Sequence, residues 1–168
     1  APAHIRNDPW PNQLEPSIRD VDVAIARSEP ESSDYPGVRE VHAMYMDMIA
    51  AAGGSIYIEN QYFTAEKIGD ALAARLQEPN GPEVIVVLRQ LSHGWLEELT
   101  MQTLRSRLVV KLRAADRYDR LRAMYPFIAG LKTGTCIDVH SKLMIVDDVW
   151  ATVGSCNLHR YSLEGNSE

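Results

Sequence analysis

The amino-acid sequence predicts an α/β fold with a mixed, largely parallel β-sheet flanked by helices on both faces. Two observations support this prediction. Apolar segments of strand length alternate with longer segments whose apolar residues recur at helical spacing, and this alternation is typical of α/β proteins. Near the end of the chain, two apolar segments flank Asp147-Asp148, and such a pair indicates a hairpin of antiparallel strands.

The sequence divides into a lead and one domain. Residues 1–36 are rich in Pro, Asn, Ser and acidic residues, which is typical of a connecting segment. Only residues 21–26 alternate in the manner of a strand. Residues 37–168 are predicted to form a single domain, because they are numerous enough to bury a substantial core.

Three helices are predicted from apolar residues at helical spacing and from the signals at their ends. The first covers residues 38–52 and ends at Gly53-Gly54, since paired glycines commonly stop a helix. The second begins at a Thr64 cap and ends near residue 77, before a break that contains two prolines. The third runs from residue 94 or 95 to about residue 114. Its leucines predicted to face inward are Leu96, Leu99, Leu104, Leu108 and Leu112.

Strands are predicted between these helices and in the last third of the chain. Residues 55–59 and 83–89 are short apolar segments of the buried type. A further strand is predicted within residues 120–128. The remaining predicted strands are residues 135–140, 142–146 and 150–153. The chain is therefore expected to end in a β-rich region.

Composition and charge narrow the classes of function. The net charge of −6 disfavours a nucleic-acid binder that works by broad electrostatic attraction. Residues 105–122 are a local exception with seven basic and two acidic residues; they form either a solvated helix face and turn or a surface that faces phosphates. Cys136 and Cys156 lack metal-site spacing and are predicted to be free thiols. No apolar run approaches the length of a membrane span, and the sequence leaves the cellular compartment open.

One motif carries most of the chemical information. His140-Ser-Lys-Leu-Met-Ile-Val-Asp147 is followed, six residues later, by Gly154-Ser-Cys-Asn157. The combined pattern is H-x-K-x4-D-x6-G-S-x-N. Six fixed positions at ordinary residue frequencies occur by chance about 10⁻⁶ times in a chain of this length. Gly154 permits a tight bend before the last part of the motif.

The parity of side chains along a strand groups these residues. Alternate side chains share a face, so His140 and Lys142 are expected to point the same way and Asp147 the opposite way. Asp147 is therefore predicted to be structural and to fix the turn or a neighbouring backbone. Ser155 and Asn157 again share a face and are expected beside His140 and Lys142.

The residue types fit the chemistry of a phosphodiester. Such a reaction needs positive charge and hydrogen-bond donors on the non-bridging oxygens, a nucleophile, and an acid for the leaving oxygen. Lys142 supplies the charge, and Ser155 and Asn157 supply neutral donors. His140 is suited to act as nucleophile or as acid near neutral pH, and a third group is expected to orient its ring.

Ordinary structural roles are the alternatives for each of these residues. A lone histidine at a strand end is more often a satisfied core residue, and Ser155 and Asn157 alone are typical turn residues. A metal site through His140, Asp147 and His159 lacks any known ligand spacing. Only the shared spacing favours the catalytic interpretation.

A substrate pocket is predicted beside the motif. Glu59, Asn60, Gln61 and Tyr62 follow a predicted strand, at the carboxyl end where ligands bind in α/β sheets. The alternative is that these four residues form an ordinary loop.

The motif resembles the HKD motif of the phospholipase D superfamily. The resemblance to bacterial two-motif members extends to Ile58-Glu-Asn-Gln-Tyr-Phe63, to the helix start at Gly94-Trp-Leu-Glu97, and to the tail from Asn157 to Glu168. It covers roughly residues 21–168 and implies a phospholipase D-like catalytic half-domain over residues 37–168.

The resemblance implies a specific chemistry. Members hydrolyse or transfer phosphodiesters without metal or other cofactor, through a phosphohistidine. Two HKD motifs meet in one active site, where one histidine attacks and the other protonates the leaving group. His140 lies in what resembles a second motif and is expected to be the general acid. Glu168 matches the carboxylate that orients a histidine, whereas Ser141 and Cys156 fall at variable positions and inherit no role.

The chain has one such motif, because no other histidine is followed two residues later by a lysine. One possibility is that two copies of the chain form a symmetric site, in which His140 is also the nucleophile. The other is that a second motif lies upstream in a longer chain, and the Pro-rich lead favours this arrangement. In either case the isolated monomeric chain is expected to be nearly inactive.

Four hypotheses about function follow. The first is a phospholipase D-like enzyme acting on phospholipids, whose partners are a second HKD half and, transiently, a membrane surface. The alternatives are a cardiolipin-synthase-like transferase, an HKD-family nuclease, and a non-catalytic half kept for interaction. The sequence identifies neither the headgroup nor the acceptor.

Overall fold

The computed structural model describes residue 11, residues 13–91 and residues 95–168, without the side chains of residues 95–99. Its strands are β1 (Ser28–Glu29), β2 (Val38–Arg39), β3 (Ser55–Asn60), β4 (Glu83–Leu88), β5 (Leu121–Met124), β6 (Lys142–Val146) and β7 (Trp150–Val153). Its helices are α1 (Glu40–Ala51), α2 (Glu66–Gln77), α3 (Trp95–Ala115) and α4 (Arg160–Glu164). Strands and helices thus alternate through the middle of the chain.

Five strands form the central sheet, in the order β5-β4-β3-β6-β7. β3, β4 and β5 run parallel, whereas β6 is antiparallel to β3 and β7 is antiparallel to β6. α2 connects β3 to β4, and α3 connects β4 to β5, which supplies the crossovers that parallel neighbours need. The predicted mixed α/β class is therefore confirmed, with the antiparallel part at the β-rich end.

The hydrophobic core lies on one face of this sheet. On β3, Ile56 and Ile58 are buried while Tyr57 and Glu59 are partly exposed, and β4 and β6 alternate in the same way. Helices α1, α2 and α3 contribute residues to the same buried cluster as Ile56 and Ile58. The sheet is flanked by helices as expected, but these three pack over a single face. Since β3, β4 and β5 follow one another across the sheet, crossovers of one hand pass over the same side.

The hairpin predicted between β6 and β7 is confirmed. Asp147 and Asp148 both have a φ of 55°, and the Val149 N–H donates to the Val146 carbonyl at 3.0 Å. Positive φ at both central residues is the type I′ pattern, whose twist matches that of antiparallel strands. Aspartate tolerates this left-handed conformation better than most residues.

The strand predicted at residues 21–26 is wrong. These residues have no regular structure, and Val23 and Ile25 are 81% and 89% exposed. An alternating segment becomes a strand only where a neighbour takes up its backbone hydrogen bonds. In the described chain the pairing begins later, where β1 meets β2.

The strand predicted at residues 135–140 is also wrong, because residues 136–141 have no regular structure. Both sides of β3 are already occupied by β4 and β6, and the Thr135 N–H closes a turn on the Lys132 carbonyl at 3.0 Å instead. Of the strand predicted within residues 120–128, only β5 forms. It ends two residues before Pro126, which cannot donate to a ladder.

The start of α2 also differs from the prediction. Its N-cap is Ala65, without a side-chain cap, and the Thr64 hydroxyl has no hydrogen-bond partner among the described residues. The backbone N–H groups of Thr64 and Ala65 instead donate to the Leu158 carbonyl at 2.9 and 3.0 Å. A segment far along the chain therefore fixes where α2 begins.

Only part of the predicted inner face of helix α3 is buried in the structure. Leu108 and Leu112 are buried, whereas Leu104 is 41% exposed and lines an open cavity between helices. Leu96 and Leu99 lie outside the described side chains. No described helix combines the length and apolar character that a membrane crossing requires. Cys136 and Cys156 are free thiols, as predicted.

Candidate active site

Three segments meet at the carboxyl end of β3. Asn60, the last residue of β3, pairs with Lys142, the first residue of β6. The Gly154 N–H, just after β7, donates to the Lys142 carbonyl at 3.2 Å. The Leu158 N–H donates to Asn60 Oδ1 at 3.0 Å. The sheet therefore brings the start of β6 and the segment that carries Ser155 and Asn157 to one edge.

Lys142 is buried at this edge, with 6% of its surface exposed. Its ammonium donates to the His140 carbonyl at 2.7 Å and to Gln61 Oε1 at 3.2 Å, and it lies 3.3 Å from His140 Nδ1. Burial lowers the pKa of Lys142, while the nearby charges of Glu168 and Asp138 act to raise it. The three contacts match the three N–H bonds of an ammonium, so its position is well defined.

His140 is exposed, in contrast to its neighbours in the chain. Val139, the residue before His140, is 7% exposed. Lys142, two residues after His140, contacts both the carbonyl and the ring of His140. Because a lysine ammonium only donates hydrogen bonds, His140 Nδ1 is the acceptor in their contact. The opposite ring nitrogen, Nε2, is left for a substrate.

Ser155 and Glu168 form a second pair at the site. The Ser155 hydroxyl donates to Glu168 Oε2 at 2.6 Å. The backbone of Glu168 is held by Ser28, with N–O distances of 3.0 and 3.2 Å in the two directions. Both side chains line an open cavity of about 530 Å³, together with residues of the β1 region. The recorded side-chain hydrogen bond of Glu168 is thus with Ser155 and not with the His140 ring.

Asn157 carries a buried polar atom that has no bond in the described structure. Its Oδ1 is shielded from solvent and has no hydrogen-bond partner there. Its backbone carbonyl accepts from the His159 N–H at 2.7 Å. Unsatisfied buried polar atoms are uncommon and are often found at functional sites. Because Oδ1 only accepts hydrogen bonds, the atom of this carboxamide that is suited to bond a phosphate is Nδ2.

Asp147 lies away from these groups, at the far end of β6. Its carboxylate accepts backbone hydrogen bonds from Gly53, Gly54 and Ser55, each at 2.7 Å. These bonds lower the pKa of Asp147, with Gly53 making the largest contribution. The motif aspartate therefore ties the β6–β7 hairpin to the loop before β3.

The four residues predicted as a pocket have different positions. Gln61 contacts the Lys142 ammonium, as described above. Asn60 Oδ1 accepts from the N–H groups of Tyr62 and Leu158, so this side chain organises the backbone. The Tyr62 ring lies 6.3 Å from the His159 ring, centre to centre. Glu59 points to the other face of the sheet and accepts from Ser141, a residue for which the sequence pattern gave no role.

Four of the seven basic residues within residues 105–122 form hydrogen bonds or ion pairs within the fold. Arg105 donates to carbonyl groups that follow β4, and Arg120 to carbonyl groups around the end of α2. Lys111 pairs with Asp70, and Arg122 with an aspartate three residues before it. The interpretation as a helix face and turn accounts for these four residues. Within the described part of the chain, no group of three His, Cys, Asp or Glu residues is arranged to hold a metal ion.

Comparison with known proteins gives a consistent picture. The family model described as "Cardiolipin synthase, PLD-like domain" matches residues 45–168. Phospholipase D zeta 2 of Arabidopsis thaliana is 28% identical over 84% of this chain, and phospholipase D A of Dictyostelium discoideum is 28% identical over 77%. The matched regions are only 16% and 13% of those two proteins.

Solved structures share the fold. NucT from Helicobacter pylori has a TM-score of 0.55 at 19% identity, over 77% of this chain and 74% of that one. Nuc from Salmonella typhimurium, described as a phospholipase D family member, has a TM-score of 0.52 at 22% identity, over 77% and 72%.

Proposed function

Because the chain belongs to the phospholipase D superfamily, whose members are phosphodiesterases and transferases, we propose that it supplies one half of an active site that acts on phospholipids. His140 is the general acid and Lys142 provides positive charge. Ser155 and Asn157 donate hydrogen bonds to the phosphate, for which the Ser155 hydroxyl turns away from Glu168 and Asn157 uses Nδ2. The observation that carries this proposal is the 3.3 Å contact between Lys142 Nζ and His140 Nδ1, at the sheet edge that also holds Ser155 and Asn157.

The proposed reaction has two steps. In the first, a histidine of the second half-site attacks phosphorus; the P–N bond forms, the P–O bond to the headgroup breaks, and His140 gives its proton to the leaving oxygen. In the second, His140 takes a proton from water or an alcohol, whose oxygen attacks phosphorus as the P–N bond breaks. The Lys142 ammonium offsets the negative charge that builds up on the non-bridging oxygens.

The orientation of the His140 ring leaves Nε2 for the substrate, because Nδ1 faces Lys142. As the acid, His140 reacts as the imidazolium, which carries a proton on both ring nitrogens; it gives the Nε2 proton to the leaving oxygen and keeps the one on Nδ1. The hydrogen bond that Nδ1 accepts from the Lys142 ammonium therefore belongs to the neutral ring, before this protonation. If two copies of the chain form the site, one His140 ring is the neutral nucleophile, with its proton on Nδ1, and attacks through Nε2 while the other is the acid.

Glu168 is proposed to orient the histidine of the other half-site. Its carboxylate is bonded to Ser155 beside an open cavity. Its charge also reaches Lys142, because it acts to raise the pKa of that residue. A carboxylate in this position fits the third group of a nucleophile–base–orienter set.

The test uses the complete protein that contains this chain, with mixed phospholipid vesicles in EDTA. Phosphatidic acid, the product of hydrolysis for every headgroup, is measured by mass spectrometry. We expect His140→Ala to lower its formation roughly 10²–10⁴-fold, the usual effect of removing a general acid. His42→Gln, on α1 and outside the proposed site, is the matched control and should keep wild-type turnover. Undiminished turnover in His140→Ala would refute the proposal.

A second candidate is the transferase reaction, which the description of the matching family model favours. With phosphatidylglycerol as the only lipid, transfer to a second molecule gives cardiolipin and glycerol, whereas hydrolysis gives phosphatidic acid and glycerol. The ratio of cardiolipin to phosphatidic acid therefore separates the two activities at the same site.

A further inference from the structure

We propose that Glu59 is a positioning residue, which holds the His140–Lys142 pair in place through a hydrogen bond to Ser141 on the opposite side of the strand. The inference rests on the proposed function of His140 and Lys142. It assigns a task to Ser141, which stands between them in the chain, and it replaces the substrate contact that the sequence suggested for Glu59.

The evidence begins with the hydrogen bonds of one carboxylate. Glu59 Oε2 accepts from the Ser141 hydroxyl at 2.6 Å, and Glu59 Oε1 accepts from the Tyr57 hydroxyl at 2.5 Å. These two bonds, with that of Ser141 the stronger influence, lower the pKa of Glu59. The carboxylate is therefore charged at neutral pH and joins β3 to the residue that precedes β6.

The backbone ladder explains why such a bond is needed. The register between β3 and β6 ends where Asn60 pairs with Lys142, and residues 136–141 have no regular structure. Ser141 and His140 thus lie beyond the last strand pair. Glu59 reaches diagonally across the two strands to Ser141, a distance that long side chains span. It continues the connection between the strands one residue beyond the ladder.

The direction of Glu59 fits positioning better than substrate contact. Glu59 and Ser141 share one side of the sheet, whereas Asn60 and Lys142 share the other, because side chains alternate along a strand. A carboxylate beside Lys142 would repel a phosphate. On the opposite face of the sheet, the Glu59 carboxylate does not face the phosphate and so avoids this repulsion. The bond therefore acts on the site through the backbone of residues 140–142.

The test compares four variants of the active protein. Ser141→Ala removes the hydroxyl, and Glu59→Gln removes the charge. We expect each to lower kcat on the order of tenfold or more, since small displacements of reacting groups are costly, with KM little changed. Ser141→Thr keeps a hydroxyl and should restore activity. Tyr57→Phe removes the other bond of the same carboxylate and should stay near wild type.

A readout that does not depend on turnover separates this inference from the proposed function. The ¹⁵N signals of the His140 ring report its contact with Lys142, and we expect them to shift in Ser141→Ala and Glu59→Gln but not in Tyr57→Phe. If Glu59→Gln unfolds, Ser141→Ala carries the test, because it removes the bond between Ser141 and Glu59 by deleting one oxygen. Unchanged kcat and unchanged ring signals would overturn the inference. So would an equal loss in Tyr57→Phe, or an effect confined to KM.

Discussion

At the scale of single residues, the surroundings of Lys142 determine how the site responds to pH. Its ammonium is buried beside Gln61 and His140, and burial lowers its pKa. The positive charge is present below this lowered pKa and is lost as the pH rises through it. A lysine in solvent keeps its charge up to about pH 10.4. The proposed site should therefore lose the positive charge of Lys142, which faces the phosphate, at a lower pH than that at which an exposed lysine titrates.

The first prediction concerns the basic side of the pH profile of kcat/KM. We expect activity to fall below the pH at which an exposed lysine titrates. Arginine at position 142 keeps its charge at every accessible pH, so in Lys142→Arg the fall in activity should move to higher pH. Its kcat at neutral pH should still be lower than that of wild type, because a guanidinium does not fit the three contacts of the ammonium. Lys142→Met should lower kcat roughly 10²–10³-fold. An identical basic limb in wild type and Lys142→Arg would contradict this assignment.

The alternation of side chains along a strand explains how much of the site could be predicted from the sequence. Alternation along a strand placed His140 and Lys142 on one side, and in the structure their side chains lie 3.3 Å apart. The same rule says nothing about which residues approach from other strands. The contacts of Gln61 with Lys142 and of Glu59 with Ser141 depend on the register between β3 and β6, which is a tertiary property.

At the scale of elements, Asp147 joins the β6–β7 hairpin to the loop before β3. Three backbone N–H groups lower the pKa of this carboxyl. Because the folded pKa lies below the unfolded value, the stabilisation is fully present above the unfolded pKa of about 3.9. It is lost as the pH falls through the folded pKa.

The second prediction follows from this linkage. Asp147→Asn keeps a residue that tolerates positive φ but removes the charge, so we expect its Tm at pH 7 to be several degrees below that of wild type. The difference should shrink as the pH is lowered below about 4. Asp148→Asn has the same φ of 55° in the same turn and is the control. Thermal unfolding followed by circular dichroism measures both, and equal Tm values for the two variants would exclude the proposed anchor.

The third prediction concerns the contact between α2 and α3. A Cβ added at Gly69 would lie 2.1 Å from Leu108 Cδ1 and 3.0 Å from its Cγ, and Leu108 is buried. Gly69→Ala should therefore destabilise the protein by about 1–3 kcal/mol through overpacking, although alanine is the better helix former. Leu108→Ala opens this space, so the double variant should be more stable than the sum of the two single effects predicts. Additive effects in urea unfolding would contradict the steric argument.

Element boundaries show where local sequence stops being informative. α1, α2, β3, β4, β6 and β7 lie within two residues of their predicted positions, because each has its own apolar period and stop signals. The two failed strands, residues 21–26 and 135–140, have suitable patterns but no neighbouring strand. The start of α2 is set by the Leu158 carbonyl. These three cases depend on partners that are distant in sequence.

At the scale of the whole molecule, the described part of the chain presents one proposed acid, with no matching nucleophile beside it in that part. His42 and His159 line a separate cavity of about 480 Å³ between helices. Burial lowers the pKa of both. Among the described histidines, His140 is the one placed with Lys142. The division of residues 1–36 and 37–168 into lead and half-domain stays a prediction.

The fourth prediction is that the monomeric chain is nearly inactive on phospholipids. The proposed reaction needs one histidine to attack phosphorus while another protonates the leaving oxygen, and His140 cannot do both in one step. Light scattering gives the mass of the species, and phosphatidic acid formation gives its activity. If two copies complete the site, activity per chain should rise with concentration in step with the dimer fraction. If a second motif supplies the nucleophile, activity should appear only when the half that carries this motif is added. Turnover by the monomer at a constant rate per chain would mean that the chemistry needs no second half-site.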